Sequence, residues 1–303
     1  ESARDRLITI LVAPITSCSA RLPVYLMLIA LMLPNGTDSD RAMVMLGLYV
    51  LSILGVYFFA WLFNRKLEKT ETALTVLELP TYQRPSWREI GLQIYDRGKI
   101  FVKNAGTVIL CLSIILWALK TYPKNTELLE KRADIKKSLK AKDISAEEAV
   151  GELGEINSRL LEYSVAGRMG KGIEPVIEPL GYDWKMGIGL IASFAAREMF
   201  VGTMSIIYLG EDKTGDEKEE EKGTIRKRMA AEKREDGKPA YNIRTCLSLL
   251  IFYVFAMQCL STVAVTRRET NSWRWAIFQV VYLTGFAYVA ALATYQISGF
   301  FIP

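Results

Sequence analysis

The chain contains no histidine, which removes Ser-His-Asp and Cys-His nucleophilic catalysis, HExxH zinc sites and haem ligation by imidazole. It also has no GxxxxGK(S/T) phosphate loop, so it has no P-loop means of holding a nucleotide. Its four cysteines, Cys18, Cys111, Cys246 and Cys259, all lie in apolar blocks without CxxC spacing, which argues against a disulfide framework or a zinc ribbon. No secretory signal precedes the first apolar run, and the chain opens on Glu1, so a longer polypeptide is expected. The net charge of +5 does not point to nucleic acid, because no basic patch with interleaved aromatics stands outside the loops.

Charge is also missing locally. Ala42–Phe63, Thr245–Thr266 and Trp275–Pro303 contain no charged residue, and each meets the roughly 20-residue requirement for spanning a bilayer core. Asn104–Leu119 is a shorter block that reaches spanning length if Lys103 snorkels. Leu7–Leu33 is apolar but interrupted by Pro14, Arg21 and Pro23, which predicts a broken helix, since proline removes a donor and clashes with the preceding turn. The expected fold is therefore all-α: a polytopic transmembrane helical bundle in a lipid bilayer, with broken or re-entrant gate helices.

Lys185–Leu209 is long and apolar enough to span, yet carries Arg197 and Glu198 at its centre among Gly187, Gly189, Ala192, Ser193, Ala195, Ala196 and Gly202. An ionisable group at mid-membrane depth costs about 2.5–3.5 kcal/mol or more. The pair is either a buried ion pair fixing helix packing or part of a permeation gate. At the first break, Thr16–Tyr25 gathers Ser17, Cys18, Ser19 and Arg21. Unwound backbone at this depth is tolerated where protein buries it or where it lines a wet cavity. In Thr245–Thr266, Met257, Gln258, Cys259, Ser261 and Thr262 place sulfur and neutral oxygen mid-bilayer, either as plain packing or as donors for a soft or borderline divalent ion. Glu174-Pro175 and Glu178-Pro179 repeat an EP pair. Because a residue before proline is pushed out of the α region, both glutamates are expected on non-helical backbone, in a cation site or an interfacial turn.

The polar segments divide the chain. Asn64–Lys99 is basic with Tyr82, Trp87 and Tyr95 as anchors, and is expected to lie on the cytoplasmic membrane surface. Lys120–Ser164 reads as an extramembrane helical insertion, and Gly210–Asn242 as a charged, solvent-exposed linker. This gives a first membrane group over 1–119, the insertion over 120–164, and a second gate region with C-terminal membrane helices over 165–303. The basic loop Arg267–Arg274 also favours the cytoplasm. It conflicts with Asn64–Lys99 if Lys185–Leu209 crosses once, unless a re-entrant turn sits at the EP pairs.

TSCSARLPVY (residues 16–25), LELPTYQRPSW with VKNAGTVIL, GRMGKGIEPVIEPLGYDWKMGIGLIASFAAREMFVGTM and CLSTVAVTRRETNSWRWAIFQ resemble, in this order, the membrane domain of the ferrous iron transport protein B family (FeoB). The resemblance covers nearly the whole chain apart from the two polar insertions. It implies uptake of Fe²⁺ across the bacterial cytoplasmic (inner) membrane, through two gate regions of the kind also seen in nucleoside transporters. Cys18 and Cys259 match positions where the family has cysteines proposed to touch iron, and Arg197-Glu198 matches the second gate region. The family's N-terminal GTP-binding domain, helical spacer and upstream membrane helices are not in this sequence. GTP and Mg²⁺ are accordingly expected only in that domain, no cofactor is expected here beyond Fe²⁺ as substrate, and this chain is not expected to be an enzyme. Implied partners are the missing G domain and helices, small Feo accessory proteins, and a second copy of the chain.

The expected pathway runs between the break at Thr16–Arg21 and the helix carrying Met257 and Cys259, with Glu198 offsetting the ion's charge and Arg197 gating it. Ser17, Ser19, Arg21, Gln258, Ser261, Glu174 and Glu178 complete the candidate lining. Two other readings stay open: a transporter of another divalent metal, and a membrane scaffold that recruits a soluble nucleotide-binding partner.

Overall fold

A computed structural model describes residues 3–34, 36–66, 86–101, 126–141, 162–195, 199–209 and 239–301 apart from 258, together with isolated positions between them, Arg197 among these. The helices are α1 (Ala3–Val12), α2 (Leu22–Met32), α3 (Asp38–Lys66), α4 (Trp87–Phe101), α5 (Thr126–Ala141), α6 (Val165–Ile177), α7 (Trp184–Ala195), α8 (Met199–Leu209), α9 (Ile243–Phe255), α10 (Leu260–Thr270) and α11 (Trp273–Phe301). No element of the described residues forms an extended sheet, as expected for the all-α class.

Among the described residues, four stretches are long and apolar enough to cross a membrane: Arg4–Met32, Asp38–Lys66, Ile243–Thr270 and Trp273–Phe300. The α3 span shows how one sequence serves two environments. Leu48, Ser52, Gly55, Phe59 and Phe63 recur at helical spacing and are buried, while Met43, Leu46, Val50, Ile53, Tyr57 and Trp61 stay exposed. A helix apolar all round with only one stripe in protein contact turns its remaining faces to lipid. Thr37 opens α3 with a reciprocal cap: its N and Oγ1 donate to Asp40 Oδ2 at 3.0 and 2.8 Å, and Asp40 N donates back to Thr37 Oγ1 at 3.3 Å. Inside the bundle, Phe59 meets Tyr282 and Phe286 at ring separations of 5.4 and 4.8 Å, and Phe286 meets Phe255 at 4.9 Å. These rings bind α3 to α9 and α11.

Two expected single helices are corrected. Thr245–Thr266 is not one rod, because α9 ends at Phe255 and α10 starts at Leu260, with Ala256 in extended backbone. Lys185–Leu209 does not cross either. It forms α7 and α8, helices of 12 and 11 residues and hence about 16–18 Å long, roughly half a hydrocarbon core. They fold back on each other at Gly189, where an added Cβ would lie 2.5 Å from Met204 Cε and 2.7 Å from Phe200 Cδ2. Lys185 Nζ sits 5.5 Å from the Tyr208 ring, so both feet of the hairpin stand at one level. The re-entrant turn is therefore at Arg197, with a further reversal between α6 and α7 at the EP pairs.

The glutamates of those pairs also differ from expectation. Glu174 is inside α6, and Glu178 opens a 3₁₀ turn over Glu178–Leu180. Pro175 falls in the last turn, where the Glu178 N–H still bonds to the Glu174 carbonyl and closes the helix. Gly181, at φ 80°, ends this turn with its α-carbon against the Tyr295 ring of α11. The linker is likewise not wholly solvent-exposed: Ile225, Met229, Ala240 and Tyr241 are buried, Arg228 donates to Tyr208 O at 2.9 Å, and Lys185 pairs with Glu232 at 2.6 Å. The surface segment is seen as α4 from Trp87, its residues 67–85 lying outside the described set, as does most of 142–161 in the helical insertion.

The ends of the bundle resolve the conflict over sidedness. Arg4 donates to Asn64 O at 2.5 Å, and Arg6 pairs with Glu269 at 2.8 Å. The start of α1, the end of α3 and the α10–α11 turn therefore share one end, together with Arg65, Lys66, Arg267, Arg268 and Arg274. The positive-inside rule makes this end cytoplasmic. At the other end, Ile225 of the linker shares with Asp38 and Arg41 the wall of an apolar cavity of about 670 Å³. In a background with the native cysteines replaced by serine, Ser39→Cys and Pro239→Cys should be labelled by a membrane-impermeant maleimide on intact spheroplasts, and Arg268→Cys only after lysis. Labelling of Arg268→Cys on intact cells would reverse the orientation.

Candidate metal pathway at two helix breaks

The first break begins with a missing donor. Pro14 has no N–H to give Ile10 O, and the chain leaves α1 through a 3₁₀ turn at Ala13–Ile15, runs irregularly through Thr16–Cys18, and re-enters helix by a second 3₁₀ turn at Ser19–Arg21. Side chains satisfy the carbonyls of Ile10, Leu11, Ala13, Pro14 and Ile15. Gln279 Nε2 of α11 donates to Ile10 O at 2.7 Å and Leu11 O at 3.2 Å, and Tyr282 Oη donates to Leu11 O at 2.6 Å. Thr16 Oγ1 donates to Ala13 O at 2.6 Å. Arg21 Nη2 donates to Pro14 O at 2.8 Å and Nη1 to Ile15 O at 3.1 Å, and Ser52 Oγ of α3 shares Ile15 O at 2.8 Å. Arg21 is only 1% exposed. Its cation caps the negative end of the α1 dipole.

The second break repeats this chemistry with the cation supplied from elsewhere. Arg197, at the tip between α7 and α8 and 5% exposed, donates from Nη2 to Ala256 O at 3.1 Å. Met257 beside it is buried, and Cys259 caps α10 with its Sγ 2.8 Å from Ser261 Oγ. The breaks meet at Gly55 of α3. An added Cβ there would lie 2.7 Å from Phe255 Cε1 and 3.4 Å from Ile15 Cγ2, so the last residue of α9 and the first break share one contact point. The second half-helix, α2, packs on α8 and α9.

Among the described residues, Ser17 Oγ and Arg197 Nη1 at the breaks are buried without a hydrogen-bond partner. Such groups call for water or a ligand. Of the expected lining, Cys18 and Ser19 are exposed and Ser17 half-buried. Glu174 and Glu178 stand on the outer turn region, away from the breaks. Glu198 and Gln258 lie outside the described residues. No three Cys, Asp or Glu residues come together as a metal cluster among the described residues. Arg197 Nη2 is seen on the Ala256 carbonyl of the α9–α10 break, and its expected coupling to Glu198 falls outside the described residues. Sequence reasoning missed Ser52, Gln279, Tyr282 and the Ala256 carbonyl. Ser52 and Gln279 left a signal as polar residues in charge-free spans; Ala256 left none.

Broken and re-entrant half-helices that meet inside the bundle define a polytopic membrane protein of the gated kind. Residues 102–273 match the family described as Gate, nucleoside recognition, and residues 45–97 match the ferrous iron transport protein B C terminus. Among curated relatives, the chain is 38% identical to the Fe(2+) transporter FeoB of Leptospira interrogans, over 98% of this chain and 40% of that protein. It is 35% identical to that of Leptospira biflexa over 98% of this chain and 39% of that protein, and 29% identical to that of Campylobacter jejuni over 96% and 41%. No solved structure matches. The chain belongs to the Gate family and to the ferrous iron transport protein B family, as a C-terminal part of the membrane region, and is a multi-pass protein of the bacterial inner membrane. It spans about 40% of the length of the relatives it matches.

Because Gln279 reaches Ile10 O in place of the missing proline donor, Gln279→Leu should strand a buried carbonyl at a cost of about 1–3 kcal/mol. A fall in the melting temperature of the purified chain in lipid nanodiscs checks this, and an unchanged value would show that the carbonyl is satisfied another way.

Proposed function

We propose that this chain forms the permeation part of a transporter that moves Fe²⁺ into the bacterial cytoplasm, coupled to a GTP-binding domain that its relatives' greater length leaves room for. The observation that carries the reading is the meeting of two helix breaks at Gly55, one bearing Cys18 and the other Met257, Cys259 and Ser261. Thiol, thioether and neutral oxygen suit Fe²⁺ and other borderline ions better than Mg²⁺ or Ca²⁺. Weak binding at several places also suits an ion that must leave again. In this reading residues 1–66 and 165–303 build the pathway, and 120–164 is an insertion outside the membrane. Glu198 offsets the charge of the ion, and Ser17, Ser19, Arg21, Gln258, Glu174 and Glu178 line the way to it. The names of the relatives supply Fe²⁺ itself. A relative from Porphyromonas gingivalis is a Fe(2+) transport protein A/Fe(2+) transporter FeoB fusion protein, 33% identical over 98% of this chain; it supports a small accessory partner of that kind.

Purified chain should bind Co²⁺ or Zn²⁺, as surrogates for Fe²⁺, in preference to Mg²⁺. Alkylation of the thiols should remove that binding, and Cys259→Ala should abolish ⁵⁵Fe uptake by the complete transporter while membrane insertion stays normal. Metal binding indifferent to alkylation would take both cysteines out of the site. Normal uptake by Cys259→Ala would favour the scaffold reading.

A further inference from the structure

Both breaks place a buried guanidinium on a free backbone carbonyl, but the two are not held equally. Arg21 is fixed within its own break by two bonds, to Pro14 O and Ile15 O, and Ser52 braces the second of these carbonyls. Arg197 arrives from a different element, the tip of the α7–α8 hairpin, and among the described residues it makes one bond, to Ala256 O, with Nη1 buried and without a partner there. Charge-assisted bonds are stronger than neutral ones, so the guanidinium held by one of them is more readily released than the one held by two. A carbonyl oxygen freed in a helix break is the ligand that transporters offer to a cation. Here that ligand is next to Met257 and three residues before the Cys259 N-cap, and it is already occupied by a positive charge.

We propose that Arg197 is a tethered substitute for the transported cation: its guanidinium fills the carbonyl position at the α9–α10 break, and a divalent metal ion takes the Ala256 oxygen only when the hairpin tip withdraws. Guanidinium and metal therefore exclude one another, by competition for one oxygen and by repulsion between like charges in a low-dielectric interior. The inference rests on the permease reading above and adds the residue that sets occupancy of its second break. It also explains why a cation pathway tolerates a buried arginine. The empty carbonyl would bear an uncompensated partial charge, and the arginine satisfies it until the ion arrives. Arg21 belongs to the permanent structure, since it holds Pro14 O and Ile15 O of its own break at once and Ser52 braces the second of these.

The test uses the full 303-residue chain in lipid nanodiscs, with Co²⁺ alone as the probe. When the guanidinium occupies the site for most of the time, the apparent metal affinity is reduced by the same fraction. Arg197→Gln should thus tighten Co²⁺ binding about tenfold or more, and Arg197→Lys should stay near the unsubstituted chain. Guanidinium ion added to Arg197→Ala should compete with Co²⁺, and Arg21→Gln should lower thermal stability without tightening. A second measurement needs no substitution: saturating Co²⁺, but not Mg²⁺, should accelerate phenylglyoxal modification of Arg197, read by peptide mass spectrometry, and leave Arg21 unreactive. Unchanged or weaker Co²⁺ binding in Arg197→Gln, or an Arg197 modification rate indifferent to bound Co²⁺, overturns the proposal and leaves the permease reading intact. If no form binds Co²⁺, the proposal also falls, while ⁵⁵Fe uptake judges the permease separately.

Discussion

A backbone carbonyl that loses its helical partner inside a membrane must find another within the protein, and the architecture around residues 10–15 and 256 follows from that requirement. Ile10, Leu11, Ala13, Pro14 and Ile15 all lose regular helix bonding near Pro14, and each acceptor is matched by a side chain from α3, α11 or the break itself. This fixes more than the break. Gln279 also accepts from Thr266 Oγ1 of α10 at 2.7 Å, so one amide ties three helices at a single level. The polar residues that look out of place in apolar spans are thus the reason that those spans sit where they do.

The same requirement makes the site possible. Half-helices of 10–13 residues bring their ends to the middle of the bundle, and helix ends carry the free carbonyls and partial charges that a whole helix would hide. Gly55 lets the ends at Ile15 and Phe255 close on α3, and Gly189 lets the α7–α8 hairpin close tightly enough to present Arg197 at its tip. Small residues here are what close backbone approach between membrane helices requires. Thiols, hydroxyls and carbonyls then stand at the two breaks, where among the described residues buried polar atoms remain unpartnered, the setting that the proposed permease needs for an ion bound weakly and released.

The sequence made the first break and the clean spans readable because their causes are local. Pro14 and Pro23 announce a broken helix, and the charge-free run Ala42–Phe63 announces α3. The second break has no such mark: FAMQCLST contains neither glycine nor proline, and its extended Ala256 is held by a guanidinium 59 residues away in sequence. The hairpin at Arg197 was half legible, in the charge and the small residues, but its reversal depends on Gly189 meeting Phe200 and Met204. Glu174 shows the opposite error, where a local rule about proline gave way to the closing bond from Glu178. In the linker, Ile225 and Met229 are apolar residues too sparse among charges to advertise burial. The family motifs carried the site further than periodicity did, because Cys18, Arg197 and Cys259 stand on irregular backbone that periodicity does not describe.

The central claim is that the carbonyl at the α9–α10 break is a cation ligand kept occupied by Arg197. The direct measurement is the position of Co²⁺, located by its anomalous scattering in crystals of the chain, compared with crystals grown without it. The account predicts a Co²⁺ peak between Ala256 and Cys259, with Arg197 Nη2 moved off the Ala256 oxygen. A Co²⁺ peak elsewhere, with the 3.1 Å contact between Arg197 and Ala256 intact, would contradict it.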